Sequence, residues 1–190
     1  NSTLFFQDVT IDSNQVESDP LNDHGGGVFI QGGNNSIFDN LTVADNSAGH
    51  GAGISIGGGV SASFINSSII NNAGHWGGGI KDESSTRVFY SNLLISGNTA
   101  NRGSGIFIQN NLTDPILENC TISGNITNAG GYPVEMVTGS NLTLIHSIIW
   151  DDQNQVIFDE ISEGHTSMIN IQYSNITNGQ NGIVSNENTT

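Results

Sequence analysis

Short apolar runs separated by polar residues recur along the chain, and each run is only three or four residues long. One segment contains three of them, at residues 28–30, 36–38 and 41–43. Within the runs, apolar and polar side chains tend to alternate, which is the two-residue period of a strand with one buried face. Runs this short do not support helices, so the pattern predicts an all-β chain.

Three sets of residues recur at a nearly constant spacing. Glycine-rich segments begin at Gly25, Gly51, Gly77 and Gly103, which are 26 residues apart. Two asparagine columns keep steps of 26 or 27 residues, namely Asn40, Asn66, Asn92, Asn119 and Asn46, Asn72, Asn98, Asn125. Three short strands in each repeat predict a three-sided parallel β-solenoid. We expect one domain over residues 1–190, with about six to seven coils of about 26 residues.

Two apolar columns are predicted to point inward and to stack about 4.8 Å apart from coil to coil. They are Phe6, Phe38, Phe64, Tyr90, Leu117, Leu144, Ile171 and Ile11, Val43, Ile69, Ile95, Ile122, Ile149, Ile176. Only residues 39 and 40 separate the second and third runs of one coil. Such a tight corner requires a positive φ, which asparagine tolerates best among residues with a side chain. The sequence therefore predicts a structural asparagine ladder with buried-corner geometry at Asn40, Asn66, Asn92 and Asn119.

The charge balance excludes several partners. There are 18 acidic residues against three basic ones, Lys81, Arg87 and Arg102, which gives a net charge of −15. Nucleic acids and anionic membrane surfaces both require a basic face. No apolar run reaches membrane-spanning length, so we expect no membrane insertion. Scarce lysine with abundant Asn, Ser, Thr and Gly favours an extracellular or cell-surface location.

Three motifs carry a family resemblance. They are the GGGI-type start of a coil at residues 77–80, the F-x-N segment at 38–40 and the N-x-A spacer at 98–100. Together they resemble right-handed parallel β-helix repeat proteins, in particular polymorphic outer-membrane-protein-type and pectin-lyase-like surface repeats, over residues 4–178. The resemblance implies the right-handed fold. It leaves function open, because lyases, adhesins and plain scaffolds share this helix.

The sequence favours neither of two candidate catalytic groups, so we assign no catalytic residue. An enzyme is the less favoured alternative. Lys81 and Arg87 flank residues 82–86 and could form an acid–base patch, but a charged, solvated turn is the favoured interpretation. A polygalacturonase-like pairing of Asp151–Asp152 with His50 fails, because four coils separate them by about 19 Å. Asp152 is instead assigned to the continuation of the Asn125 column.

One surface column is a candidate binding site. His24, His50, Trp76 and Arg102 each precede a glycine run, and we name this column the strip. His24 and His50 could bind a metal with Asp23 or His75, but Trp76 and Arg102 are not ligands of that kind. A stacked surface ladder is favoured, and its aromatic members could also hold a sugar.

No cofactor is predicted, and no metal site is assigned. Ca²⁺ is a further candidate ion, and its ligands would come from acidic residues in turns without ordered spacing. These are Asp19, Asp23, Asp45, Asp151 and Asp152. Cys120 lies in an inward column and is predicted to be a small core residue.

Ten N-x-S/T sequons occur, as an Asn- and Ser-rich repeat produces by default. They begin at Asn1, Asn34, Asn40, Asn66, Asn111, Asn119, Asn125, Asn141, Asn175 and Asn188. Asn40, Asn66 and Asn119 are predicted to escape glycosylation as corner residues, whereas Asn34 and Asn111 are predicted to be loop sites.

Two functional hypotheses follow. The first is a non-catalytic extracellular structural β-solenoid, serving as an adhesin stalk, a surface-layer element or a filament subunit built by head-to-tail self-association through exposed coil edges. The alternative is a carbohydrate-active enzyme or carbohydrate-binding module with a polysaccharide partner. It would use the face around Trp76, Lys81 and Arg87, and clustering of these residues with an acid along one groove would favour it.

Overall fold

The computed structural model describes residues 3–16, 23–32, 35–84, 86–110, 113–128, 130–151, 156–159 and 166–186. Within these ranges the chain is a stack of parallel strands with a single 3-10 helix, Gly179–Gly182. The all-β parallel solenoid is therefore confirmed. The tight corner recurs at steps of 26 or 27 residues over five turns, from Asn40 to Tyr173.

One face is a seven-stranded sheet that places the strip. All of its pairs are parallel, and equivalent residues of successive coils stand directly side by side, as in Ile54, Ile80 and Ile106. In spatial order its strands are β2 (Val28–Ile30), β4 (Ile54–Ile56), β7 (Ile80–Asp82), β11 (Ile106–Ile108), β15 (Val134–Val137), β18 (Val156–Asp159) and β21 (Ile183–Asn186).

The other two faces form one twelve-stranded sheet rather than two separate sheets. They are joined because the long strands β1 (Leu4–Asp12) and β3 (Ser36–Ala44) run through the corner without a break. The second face adds β5 (Ala62–Ile65), β8 (Phe89–Ser91), β12 (Ile116–Glu118), β16 (Asn141–Ile145) and β19 (Met168–Gln172). The third face adds β6 (Ser68–Ile70), β9 (Leu94–Ser96), β13 (Thr121–Ser123), β17 (Ile148–Trp150) and β20 (Asn175–Ile176). A short pair, β10 (Thr99–Ala100) and β14 (Ile126–Thr127), lies between the third face and the seven-stranded sheet.

The core is a continuous stack of like residues. Phe6, Phe38, Phe64 and Tyr90 are stacked ring on ring, with centroids 5.0, 4.6 and 5.6 Å apart. The second inward column, which includes Ile69, is buried beside them. Each coil removes apolar surface from water only by contact with its neighbours, so the core runs the length of the stack.

The corner asparagines adopt the predicted backbone, but their side chains are exposed. Asn40, Asn66, Asn92 and Asn119 have φ between 52° and 56°. All four are solvent-exposed, so the buried-corner expectation is wrong. Asn92 donates to Asn66 at 3.0 Å, whereas Asn66 donates to Asp39 rather than to Asn40. We call these four residues the corner column.

The buried ladder is the other asparagine column, Asn46, Asn72, Asn98 and Asn125, whose exposure is 1, 0, 0 and 8 %. The backbone N–H and Nδ2 of Asn72 both donate to Oδ1 of Asn98, at 2.9 and 3.0 Å. Nδ2 also donates to the carbonyl of Val43 in the preceding coil at 3.0 Å. Asp151, not Asp152, ends the column by accepting from the N–H of Asn125, which corrects the sequence assignment. Asp152 lies outside the described residues.

Candidate functional site on the seven-stranded sheet

A sharp backbone turn folds the strip back over the seven-stranded sheet. The glycine after each strip residue has a positive φ, from 55° at Gly51 to 67° at Gly77. A Cβ at Gly51 would lie 2.5 Å from the carbonyl oxygen of Ile54, so no other residue fits. The side chains of the strip residues therefore lie over the strand that follows them in the chain instead of extending into solvent.

The strip interlocks with the outward-facing side chains of the seven-stranded sheet, Phe29, Ser55, Lys81, Phe107 and Glu135, which we name the outward row. Three strip residues meet the outward residue five positions later. His24 lies 5.6 Å from the ring of Phe29, and Trp76 and Arg102 form cation–π pairs with Lys81 and Phe107.

Each strip residue also contacts the outward residue of the next coil. His24 hydrogen-bonds Ser55 at 3.1 Å, His50 bonds Lys81 at 3.1 Å, and Trp76 stacks on Phe107 at 5.7 Å. Arg102 forms an ion pair with Glu135. These contacts bury four members of the outward row, whereas Phe29, on the first strand of the sheet, is exposed.

The strip residues also contact one another. The ring of His50 stacks on Trp76 at 4.8 Å and meets the edge of His24 at 4.8 Å. Single bridges of parallel backbone pairing connect His24, His50, Trp76 and Arg102 in succession. The structure therefore brings the four predicted strip residues together, as part of a second layer over the sheet.

Lys81 is the chemical centre of this layer. Its Nζ lies 3.1 Å from Glu83 Oε1 and 3.1 Å from His50 Nδ1, under the ring of Trp76. The side chain is nearly inaccessible, and burial lowers the pKa of Lys81. A lysine with a lowered pKa can act as a base, but this amine is covered and engaged on two sides. The solvated-turn interpretation is wrong for Lys81.

The solvated-turn interpretation is also wrong for Asp82, because its side chain points into the core. It occupies the position of Ile56 and Ile108 in the neighbouring strands and is fully buried. Tyr90 donates to its Oδ2 at 2.9 Å, and the N–H of Ser84 donates to Oδ1 at 3.0 Å. Burial raises the pKa of Asp82, and it raises that of Tyr90 well above its ordinary value.

Arg87 does not join the Lys81 cluster. It pairs with Asp114 on the second face and borders a groove of about 380 Å³. The groove is one strand wide, because Ser63 stands between the larger Ile37 and the half-exposed Phe89. The predicted group of Trp76, Lys81 and Arg87 is thus divided between two faces.

Among the described residues, the structure provides no set of ligands for the predicted metal sites. His24 and His50 are neighbours, but their Nδ1 atoms are directed to Ser55 and Lys81. His75 contacts Asn101 at 2.9 Å instead of joining them. Within the described ranges, no three His, Cys, Asp or Glu side chains gather in a way that could hold a metal ion. Asp19 and Asp152 lie outside those ranges.

The structure describes Cys120 and some of the sequon asparagines. Burial raises the pKa of the Cys120 thiol to about 11, which opposes any role as a nucleophile. Asn125 is buried within its ladder, whereas Asn175 is exposed. The sequon asparagines that lie outside the described residues are Asn1, Asn34, Asn111 and Asn188.

Sequence reasoning found the strip but missed the outward row beneath it. A signal was available, because Phe29, Ser55, Lys81 and Phe107 are also 26 residues apart and five positions after the strip. The column was obscured by its composition, which changes from aromatic to hydroxyl to cationic between coils. The outward row is held in position by its contacts with the strip, and the pattern of one column alone does not reveal contacts between two columns.

The fold and the repeat define a class of protein. A family model described as right-handed β-helix region matches residues 1–151, and the chain belongs to that family. The chain matches no curated protein and no solved structure. The part of the chain that the structure places contains no helix with the length and apolar character needed to cross a membrane.

Proposed function

We propose that this β-helix is a non-catalytic structural solenoid of the cell exterior, acting as a stalk, a surface-layer element or a filament subunit. The observation that carries the proposal is that its basic side chains are all paired with acidic side chains of the same chain. The sequence contains three Lys and Arg residues, and each one forms an ion pair with a carboxylate of the same chain.

This pairing weighs against catalysis on acidic glycans. A lyase acting on such a glycan must neutralise its carboxylate and remove a proton beside it, which requires cations or a metal directed toward the substrate. Here Lys81 is directed to Glu83 under the strip, and the strip residue Arg102 is directed to Glu135 beneath it. A net charge of −15 would also repel the substrate.

The test is an assay for unsaturated uronate products with pectate and alginate, with and without added Ca²⁺. We expect no ultraviolet absorbance above a blank. A signal that appears with the wild-type protein and disappears in Lys81→Ala or Arg87→Ala would refute the structural role. The Asn66→Gly variant is a matched control, because it alters a distant corner.

The groove on the second face favours sugar binding as a second candidate function. Phe89 offers a half-exposed ring on one side, Ile37 lies on the other, and Ser61, Ser63 and Arg87 supply hydrogen-bonding groups at the floor and rim. A pyranose presents an apolar face and several hydroxyls, which suits such walls.

Glycan-array binding followed by calorimetry would test this candidate. We expect binding that Phe89→Ala abolishes and Trp76→Ala leaves intact. Binding that is lost only in the Trp76 variant would assign it to the strip instead.

We also propose that copies of the chain associate head to tail. The first coil exposes Leu4, Phe5 and Phe6, and Phe6 carries the aromatic stack of the core to the surface. Repulsion between acidic subunits opposes association, so we expect it to strengthen with salt. Light scattering across a salt series measures this, and a constant monomer mass would contradict it.

A further inference from the structure

We propose that the strip is an acid-sensitive clasp, in which protonation of His24 and His50 releases Trp76 and uncovers the outward row of the seven-stranded sheet. This inference concerns a conformational response and does not depend on the structural role proposed above. It rests on the contacts among His24, His50, Lys81 and Trp76.

The closed strip requires a neutral His50. A lysine ammonium has only donors, so the 3.1 Å contact with Lys81 Nζ makes His50 Nδ1 an acceptor. Protonation at Nδ1 would remove that lone pair and place an imidazolium against an ammonium. The flat contact of His50 with Trp76 would then hold two like charges beside one ring.

His24 adds a second titrating ring to the same cluster. It meets His50 edge-on at 4.8 Å and hydrogen-bonds Ser55 at 3.1 Å. Burial lowers the pKa of His24, and the charge of Lys81 lowers it further. Two cationic imidazoles beside Lys81 would give three positive charges in one layer.

Among the described residues, the acidic neighbours that act on this cluster are Glu83 and Asp23, fewer than the three positive charges. Glu83 faces Lys81 at 3.1 Å and also raises the pKa of His24, as does Asp23 to a smaller extent. One coil beyond Trp76, Glu135 is already paired with Arg102. Asp82, although adjacent to Lys81 in the chain, points into the core and is bonded to Tyr90 and Ser84.

The strip can open without unfolding the solenoid. The backbone of the strip and of the strands beneath it stays hydrogen-bonded from coil to coil, as from the N–H of Gly51 to the carbonyl of Trp76 at 2.9 Å, so opening is a movement of the strip side chains. We therefore expect a local transition with the core intact.

The sign of the pH effect follows from the lowered pKa of His24. Because the closed strip favours the neutral ring, its stability is fully present above the pKa of a free imidazole, about 6.5. Stability is lost as the pH falls from that value toward the lowered pKa in the closed form. The clasp is thus closed at neutral pH and opens on acidification.

The experiment uses the Trp150→Phe variant, which leaves Trp76 as its sole tryptophan. Acrylamide quenching of Trp76 is measured from about pH 8 to about pH 5, the range in which histidine titrates. We expect a several-fold rise in the quenching constant on acidification, with an unchanged far-ultraviolet circular dichroism spectrum. A quenching constant that does not change with pH overturns the proposal.

Three further variants in that background identify the cause. Lys81→Met removes the charge and should keep Trp76 protected at acid pH, whereas the matched Lys81→Arg should retain the acid response. The double variant His24→Gln, His50→Gln should also stay closed, and it keeps the proposal testable if Lys81→Met fails to fold. An equal acid response in the double variant and the parent would refute the clasp.

Discussion

The two asparagine columns share a residue type and a spacing, yet they hold the coils together for different reasons. In the buried ladder, Asn72 is fully enclosed and satisfies backbone and side-chain groups of three successive coils. In the corner column, Asn66 is exposed and is selected by its φ of 52°. The same periodic signal can therefore reflect hydrogen-bond satisfaction or backbone conformation, which differ in energetic cost.

Asn72→Ala should give the largest loss of stability. The change leaves the backbone N–H and Nδ2 of Asn46 without their shared acceptor, and it also removes the donor to Val43. Buried groups left unpaired cost about 1–3 kcal/mol each, so we expect a total loss of about 3–5 kcal/mol. Urea denaturation followed by circular dichroism measures it. A loss no greater than that of Asn66→Ala would remove the distinction between the columns.

Asp82→Ala extends the comparison to a buried polar group outside the buried ladder and the corner column. It leaves Tyr90 Oη and the N–H of Ser84 without an acceptor, and we expect a loss of about 2–4 kcal/mol. Asp82→Asn keeps an acceptor for the N–H of Ser84, its NH2 group can donate to Tyr90 Oη instead, and it cannot ionise.

The pH dependence of Asp82 has a definite sign. Because burial raises the pKa of Asp82, its contribution to stability is fully present below the free carboxyl value of about 3.9 and is lost as the pH rises through the raised value. The stability of Asp82→Asn relative to the wild type should therefore increase from acidic to neutral pH. Urea titrations of both proteins across that range check it, and a constant difference would show that Asp82 does not titrate abnormally.

Asn66→Ala tests the corner column and should cost about 1–2 kcal/mol, the penalty for a residue with a Cβ at positive φ. Asn66→Gly should cost less, because glycine adopts this angle freely. Equal midpoints of thermal unfolding for the two variants would mean that the amide contacts, and not the backbone angle, select asparagine.

Asp151→Asn should have the smallest effect. Asp151 ends the buried ladder by accepting from the N–H of Asn125 at 2.7 Å, and an amide oxygen can accept the same bond. We expect a change below about 1 kcal/mol. A larger loss would show that the terminal position requires the carboxylate, and the Asn125→Asp variant, which removes a donor inside the ladder, provides the contrasting case.

The sequence alone determined the periodic features of this protein. Spacing identified the solenoid, the inward stack of Phe38, Phe64 and Tyr90, the positive φ of the corner column and the alignment of the strip. These succeed because each coil repeats the environment of the last, so one physical requirement selects similar residues at equal intervals.

Only the tertiary structure decided which periodic column is enclosed and which side chains meet across columns. The pattern did not reveal that Asn72 is buried and Asn66 exposed, because both sit at polar positions with the same spacing. It also did not reveal that Lys81 lies under Trp76 while Asp82 enters the core. Those outcomes depend on how the backbone turns at Gly77 and on contacts between adjacent coils, which are distant in sequence and specific to each pair of side chains.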